Sequence, residues 1–159
     1  MRHVPTVVTV VMFDADQAPC GVTIGSFVSL SLDPPLVCFN IKKDSTIHDE
    51  LIKAQHYLIH VLREDQAAVS DRFADPNLST RDQLIPEWIE EGPHGIPALR
   101  EHLVRFDCRR TQLHDGGDHT IILACLEGIE EGKPSRPVVY HQRAYHAVGE
   151  QVADRSTGI

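Results

Sequence analysis

Small hydroxyl side chains recur through residues 20–39, CGVTIGSFVSLSLDPPLVCF. The hydroxyl residues of interest are Thr23, Ser26, Ser29 and Ser31. Hydroxyls and exposed backbone N–H groups can hydrogen-bond a planar heteroaromatic edge or a phosphate without adding charge or bulk. Gly21 and Gly25 would let a flat ring approach the backbone closely. The alternative is an ordinary strand whose Thr and Ser side chains face solvent, and the pattern leaves both interpretations open.

A candidate phosphate site follows in the segment NIKKDST. Lys42 and Lys43 stand just before a predicted helix that Ser45 or Thr46 would cap. A helix start offers unpaired N–H groups, and nearby hydroxyls and a cation favour an anion there. Simple capping beside two surface lysines explains the same residues. Because the two segments are consecutive, one ligand with a ring and a phosphate would span both.

The segment HDGGDHT holds two histidines and two aspartates. Their spacing matches neither HExxH nor CxxC, and the Gly-Gly pair favours a tight turn, so we predict no metal site. One interpretation is a hairpin turn with solvated polar groups. The other places His119, at the start of a strand, at the mouth of a pocket, where its ring N–H would meet a substrate amide or a phosphate.

An aromatic and basic cluster lies near the C-terminus in VVYHQRAYHAVG. Its members are Tyr140, His141, Arg143, Tyr145 and His146. They could stack on a nicotinamide or an adenine, or contact phosphates. An ordinary strand with polar alternation accounts for the same residues.

The elements that would position these residues are mostly strands, predicted from runs rich in Val, Ile and Thr between turn signals. The predicted strands cover residues 4–13, 21–32, 36–41, 56–62, 103–113 and 120–129, and a last strand lies in RPVVYHQRAY. Helices are predicted in STIHDELIKA and EDQAAVSDRFA, and residues 75–97 form an ordered excursion with a short helix near Trp88. This order predicts a mainly β fold with helical additions, a barrel rather than alternating βαβ units.

Composition limits the classes of function. The chain has 159 residues and a net charge of −8, which predicts one domain, residues 1–150, with a loose tail at 151–159, and argues against nucleic acid as a partner. No apolar run reaches the roughly 18 residues of a membrane span. Four cysteines without CxxC spacing predict reduced thiols in a cytoplasmic protein. The Rossmann, P-loop and nucleophile-elbow motifs are all missing from the sequence.

Four segments in this order resemble the short-chain flavin reductases, the reductase components of two-component flavin-dependent monooxygenases. They are PTVVTVVMFDADQAPCGVTIGSFVSLSLDPPLVCFNIKKDSTI, YLIHVLREDQAAVSDRFA, GGDHTIILACLEGI and PVVYHQRAY. The combination of T-x-x-S-F-x-S-x-S-x-D-P-P, the EDQ…FA helix and GDHT is specific, although each piece alone is weak.

The resemblance implies an FMN-binding split β-barrel of Greek-key type that forms a homodimer. It also implies an NAD(P)H:flavin oxidoreductase that reduces FMN or FAD with NADH or NADPH and supplies a partner monooxygenase. The implied flavin-ring residues are Thr23, Ser26, Phe27 and Ser29, and the implied ribityl and phosphate residues are Asn40, Lys42, Ser45 and Thr46. His119, as the catalytic residue, would lie on the nicotinamide side with Tyr145 and Arg143.

Two positions depart from the family pattern: Val7 stands where a glycine is frequent, and Gly25 where serine, asparagine or alanine is commoner. Two other functions remain open on the same barrel. One is a flavin- or heme-binding protein without reductase activity, and the other is a reductase that keeps a tightly held flavin and acts on its own substrate.

Overall fold

The computed structural model describes residues 3–15 and 20–152, and these residues form mostly strands. The strands are β1 Thr6–Val7, β2 Thr9–Phe13, β3 Cys20–Ile24, β4 Val28–Leu32, β5 Pro35–Lys42, β6 His56–Val61, β7 Ile89–Glu91, β8 Pro97–Leu99, β9 Val104–Gly116, β10 His119–Glu131, β11 Val138–His141 and β12 Ala144–Ala147. The helices are α1 His48–Lys53, α2 Ala67–Ala74 and α3 Thr80–Gln83, and a 3₁₀ turn spans Pro93–Gly95. The predicted mainly β class with few helices is confirmed.

The main sheet has seven antiparallel strands in the order β3-β2-β6-β9-β10-β5-β4. A three-stranded sheet, β1-β11-β12, and the two-stranded pair β7-β8 complete the fold. Ile24 in β3 and Ile41 in β5 belong to the same hydrophobic core although four strands separate β3 from β5 in the sheet. The main sheet therefore curls around this core.

Strands β2 and β6 lie between two hydrophobic cores, which explains why all five residues of β2 are buried. Successive strand side chains point to opposite faces, so Val11 and Phe13 enter the first core while Val10 and Met12 enter the second. The first core also takes Leu51 from α1. The second is covered by α2, β8 and β11. This double burial makes the two strands the centre of the fold.

Helix α2 matches the predicted helix in EDQAAVSDRFA, because its Val69 and Phe73 are four residues apart and pack into the second core. The predicted cap of α1 by Ser45 or Thr46 is wrong. The N-cap residue is Ile47, and the His48 N–H donates to the backbone carbonyl of Ser45 at 3.0 Å. A turn therefore precedes α1, and its backbone replaces a side-chain cap.

Four predicted elements differ from the structure. The predicted strand 4–13 breaks at Val8 into β1 and β2, which join different sheets. The predicted strand 21–32 breaks at residues 25–27, so that β3 and β4 lie at opposite edges of the main sheet. The predicted last strand is a hairpin, β11–β12. The helix predicted near Trp88 lies earlier in the chain, at α3.

The predicted hairpin at HDGGDHT is confirmed, because β9 and β10 pair across a turn in which Gly117 has φ 78°. All four cysteines lie in the described part of the chain, and none of them forms a disulfide bond there. No helix among residues 3–15 and 20–152 has the length and hydropathy to cross a membrane. The predicted tail is described only as far as Val152; residues 153–159, and residues 16–19 of the β2–β3 loop, lie outside the described residues.

Candidate functional site

A cleft with two adjoining halves opens beside β3, and each half has a cavity volume of about 480 Å³. The halves share Thr6, Thr23, Ile24 and Gly25. We call one the basic half; its other lining residues are Val22, Ser26, Asn40, Ile41, Lys42, Ser45 and His119. We call the second the hairpin half; its other lining residues are Val8, Ser70, Asp71, Ala74, Tyr140, Arg143 and Tyr145.

Strand register positions Lys42 and His119 in the basic half. Strands β5 and β10 pair so that Lys42 lies opposite His119, and Asn40 lies opposite Ile121. Directly opposed side chains on an antiparallel pair lie on the same face of the sheet. Lys42 and His119, which are 77 residues apart in the sequence, therefore reach the cleft together.

Two hydroxyls of the predicted set hold the walls of the cleft together. The Ser26 hydroxyl accepts the Asn40 N–H at 2.9 Å and so joins the bend between β3 and β4 to β5. The Thr23 hydroxyl donates to the Ser70 carbonyl at 2.7 Å and so joins β3 to α2. The hydroxyl-rich segment thus contributes both cleft lining and the bonds that shape it.

Lys42 and His119 each already have a carboxylate beside them. Lys42 Nζ lies 2.6 Å from Asp44, and His119 Nδ1 lies 2.7 Å from Asp118. The hydrogen bond to Asp44 raises the pKa of Lys42, and the hydrogen bond from His119 lowers the pKa of Asp118. The side chains of Lys42 and His119 remain more than one-third exposed, at 54% and 41%, so an anion that enters the cleft can reach them.

The hairpin half is built on the turn between β11 and β12. Gln142 and Arg143 have φ 51° and 66°, so both central residues of this two-residue turn are left-handed. Hairpins prefer such turns because their twist matches that of the strands. The turn brings Arg143 to the cleft.

A hydrogen bond network fixes the hairpin to helix α2. The Tyr145 hydroxyl donates to Asp71 Oδ1 at 2.7 Å and lies 2.9 Å from Ser70 Oγ. Burial, and then the neighbouring Asp71, raise the pKa of Tyr145. Since the Ser70 backbone carbonyl also accepts from the Thr23 hydroxyl, these bonds connect β12, α2 and β3 around the hairpin half.

The structure brings most of the predicted site residues together. Those that line the cleft are Thr23, Ser26, Asn40, Lys42, Ser45, His119, Arg143 and Tyr145. His119 lines the basic half, whereas Arg143 and Tyr145 line the hairpin half.

Three predicted site residues lie elsewhere in this chain. Phe27 packs against the first core and stacks on Phe106, with ring centroids 5.4 Å apart. Ser29 is exposed on the edge strand β4, and Thr46 is exposed in the turn before α1. Within the described residues, none of the three lines either half of the cleft.

Sequence reasoning missed Thr6, Ser70 and Asp71. Thr6 was placed in a strand without a site role, and Ser70 and Asp71 lie in the predicted helix, where polar residues are usually solvated. Gly21 was expected beside a ring, but a Cβ there would lie 2.6 Å from Met12 Sδ and from the Phe73 ring. Gly21 therefore permits the packing of α2 on β3, and Gly25 is the glycine that lines the cleft.

Comparisons with known proteins agree on one family. The family model described as "Flavin reductase like domain" matches residues 1–149. The chain is 45% identical to FMN reductase (NADH) SmoA of Agrobacterium fabrum over 118 residues, which is 74% of this chain and 66% of that protein. It is 35% identical to the NADH:riboflavin 5'-phosphate oxidoreductase of Streptomyces pristinaespiralis, over 89% of this chain and 78% of that protein.

Two solved structures that resemble this chain are also flavin reductases. The chain superimposes with a TM-score of 0.83 and 28% identity on BorF, the flavin reductase component of a bacterial two-component tryptophan halogenase, covering 94% of each chain. It superimposes with a TM-score of 0.85 and 27% identity on the NADH:FAD oxidoreductase SgcE6 of Streptomyces globisporus C-1027 in complex with NAD and FAD fragments. That match covers 95% of this chain and 90% of SgcE6.

Proposed function

Because this chain belongs to the flavin reductase like domain family, we propose that it is an NADH-dependent flavin reductase. It transfers a hydride from NADH to FMN or FAD and releases reduced flavin to a partner monooxygenase. The chain spans 66% of SmoA and 85% of the reductase component of the 4-hydroxyphenylacetate 3-monooxygenase of Thermus thermophilus. We place this activity in the cytoplasm, where NADH is available and thiols stay reduced.

The two-part cleft is the observation that supports this proposal. A flavin nucleotide needs a wall that admits a flat ring and cationic donors for its phosphate. The shared wall carries Gly25 and Ile24, and the basic half supplies the Lys42 ammonium and the His119 ring N–H. The sequence predicts the phosphate donors at the start of a helix. In the structure Lys42 lies at the end of strand β5, so the phosphate site does not depend on the N-terminus of α1. The donor set therefore fits a flavin phosphate.

The flavin, when bound, supplies the redox chemistry by accepting a hydride from reduced nicotinamide. The residues of this chain bind and orient the two reactants. Lys42, Ser45 and Asn40 donate to the flavin side chain and phosphate, and Arg143 and Tyr145 receive NADH in the hairpin half. His119 stands where a ring N–H can meet either a phosphate or the nicotinamide amide. Fixed donors beside the flavin favour its electron-rich reduced form.

Steady-state NADH oxidation, followed at 340 nm with FMN, FAD or riboflavin as acceptor, tests the activity. We expect turnover that depends on added flavin and is faster with NADH than with NADPH. A protein that shows no flavin-dependent turnover with either nicotinamide is not a flavin reductase. A yellow protein that keeps its flavin through dialysis would instead favour a tightly bound prosthetic group.

The lysine pair of the chain provides a matched test of the phosphate site. Lys42 lines the cleft, whereas its neighbour Lys43 pairs with Asp115 on β9 and does not line it. We expect Lys42→Met to raise the KM for FMN several-fold and to leave the KM for riboflavin, which has no phosphate, unchanged. Lys43→Met should change neither. Equal effects of the two substitutions on FMN would remove Lys42 from the phosphate site.

We also propose that two copies of the chain form a homodimer of split β-barrels through strand β4. This strand is an edge of the main sheet, and Val28, Leu30 and Leu32 on it are 51%, 50% and 90% exposed. An exposed apolar edge strand is a liability unless another surface covers it. A second copy would cover it by continuing the same sheet, which completes the assembly that the family implies.

Sedimentation or light scattering tests this assembly. We expect the wild-type protein to be a dimer, and Leu30→Lys to shift it toward the monomer without unfolding it, because Leu30 is half exposed in the single chain. Ser135→Lys, at an exposed position between β10 and β11, is a matched control that adds the same single positive charge. A monomeric wild-type protein at micromolar concentration would contradict the dimer but not the reductase activity.

A further inference from the structure

Two histidines and two carboxylates meet over one face of the main sheet, away from the cleft. His56 lies on β6, Asp107 on β9 and Glu127 on β10, which are neighbouring strands. His94 comes from the 3₁₀ turn between β7 and β8. Four separate elements therefore bring nitrogen and oxygen ligands to one place.

The register of the sheet explains this convergence. His56 on β6 and Cys125 on β10 both lie opposite Arg109 on β9. Residues two apart in a strand share a face, so Asp107 follows Arg109 onto the same side. Glu127 lies at a register shift between Leu126 and Gly128, and its Oε1 lies 2.7 Å from Arg109 Nε, which places its side chain on that side as well. The sheet thus fixes three of the four side chains, and the turn adds the fourth.

The ligand atoms are close together. One ring nitrogen from each histidine and one Glu127 oxygen lie within 4.8 Å of one another. His94 Nε2 lies 3.3 Å from Asp107 Oδ1, and His56 Nε2 lies 3.9 Å from Glu127 Oε2. Asp107 Oδ1 is buried and has no hydrogen bond partner among the described residues. A buried carboxylate oxygen without a partner is costly unless something else satisfies it.

The backbone of His94 is also unusual, since φ 61° and ψ 15° place it in the left-handed region that most side chains avoid. This conformation holds its imidazole against that of His56, with ring centroids 3.9 Å apart and planes within 14°. The turn thus places the His94 imidazole against the sheet, although the backbone of His94 adopts an unfavourable conformation.

We propose that His56, His94, Asp107 and Glu127 form a binding site for a divalent transition-metal ion. Two imidazoles with carboxylates suit Zn²⁺ best among the metals common in proteins, with Co²⁺ and Ni²⁺ as laboratory substitutes. Ligand bonds of roughly 2.1 Å bring ligand atoms to about 3.4 Å from one another in a tetrahedral site. The ligand atoms of His56, His94 and Glu127, which lie within 4.8 Å of one another, therefore close in by up to about 1.4 Å on binding.

The stacked rings identify the side chain that moves. One ion cannot lie in the planes of two parallel imidazoles, so one ring must turn. His94 is the one that turns, because it is on a turn and is 37% exposed, while His56 is held within a strand of the sheet. Arg109 Nε holds Glu127 Oε1 at 2.7 Å, which leaves Oε2 directed toward His56.

Metal binding would attach the turn between β7 and β8 to the main sheet. The adjacent cavity of about 270 Å³ is lined by both histidines and gives the ion a path from solvent. Within the described residues, this cavity shares no lining residue with either half of the cleft. The site is therefore separate from the cleft, and it stands independently of the proposed reductase activity.

Titration calorimetry with ZnCl₂ and cobalt absorption spectroscopy test the site in the full chain. We expect one equivalent of Zn²⁺ to bind, Co²⁺ to give visible d–d bands, and Zn²⁺ to raise the melting temperature. His94→Asn keeps a residue that tolerates the left-handed backbone but removes the imidazole. It should weaken Zn²⁺ binding at least about tenfold and abolish the rise in melting temperature. Glu127→Gln should weaken binding in the same direction.

His114→Asn is the matched control, because His114 is an exposed histidine of the same sheet whose Nε2 lies 2.9 Å from Gln112. It should bind Zn²⁺ as the wild type does. The melting temperature of each variant without metal verifies that it folds. The proposal is overturned if the wild type takes up no stoichiometric Zn²⁺, or if His94→Asn and His114→Asn weaken binding equally.

Discussion

Replacing Tyr145 by Phe tests whether the hairpin half of the cleft depends on its attachment to helix α2. The substitution removes only the hydroxyl that donates to Asp71 at 2.7 Å and lies 2.9 Å from Ser70 Oγ. A hydrogen bond to a carboxylate contributes about 1.5–3 kcal/mol when desolvated. Asp71 is exposed to solvent, so we expect about 1 kcal/mol, which corresponds to roughly a fivefold change in an equilibrium constant.

If the hairpin positions Arg143 for NADH, this loss should appear as a roughly fivefold rise in the KM for NADH. The KM for flavin should change little, because Tyr145 does not line the basic half. Steady-state kinetics with Tyr145→Phe, Asp71→Asn and the double variant measure the coupling. We expect the double variant to be no worse than Tyr145→Phe alone. Strictly additive effects, or an unchanged KM for NADH, would refute the positioning role of this network.

Three further substitutions test the two cores through chemical denaturation. Gly21→Ala would place a Cβ 2.6 Å from Met12 Sδ and from the Phe73 ring, so it should lower the free energy of unfolding by about 1–3 kcal/mol. Tyr57→Phe removes a buried hydroxyl whose bond to a backbone carbonyl is 2.9 Å long, and it should cost about 1 kcal/mol. Burial lowers the pKa of His60 from 6.5 to about 3, so His60→Asn should change how stability depends on pH.

The sign of the His60 effect follows from proton uptake. Below pH 6.5 the unfolded chain protonates this imidazole, while the folded protein keeps it neutral down to about pH 3. The free energy of unfolding therefore falls with decreasing pH across this window, by up to about 1.4 kcal/mol per pH unit from this residue. The Asn variant should lose this slope. The His60 prediction is contradicted if the pH slope of His60→Asn equals that of the wild type. The other two predictions are contradicted if Gly21→Ala or Tyr57→Phe is as stable as the wild type.

Much of the fold could be predicted because apolar runs and turn residues mark strands directly. The hairpin of β9 and β10 needed only the Gly-Gly signal, and α2 only its helical spacing. The breaks at Val8 and at residues 25–27 were not predictable, because the apolar and hydroxyl pattern continues through them. The hairpin of β11 and β12 was missed because its turn contains Gln142 and Arg143, residue types that rarely adopt a positive φ.

The candidate site was partly predictable for a similar reason. Lys42 and His119 could be proposed one by one from their neighbours in the sequence, but only the register of β5 and β10 brings them together. Asp71 gave no signal, since its partner Tyr145 is 74 residues away. Phe27 lies outside the cleft of the single chain because the strand break at residues 25–27 turns its ring toward Phe106. The four residues of the proposed metal site lie too far apart in the sequence for any spacing motif.

The carboxylates beside Lys42 and His119 bear on how long a ligand would stay. A phosphate that enters the basic half must compete with Asp44 and Asp118 for the same N–H donors. When the ligand departs, those two acids take its place, so the Lys42 and His119 donors are not left without an acceptor. Because binding replaces a carboxylate by a phosphate, and release does the reverse, the net change in free energy is small for both steps. Such a cleft suits a ligand that binds, reacts and is released, rather than one that stays bound.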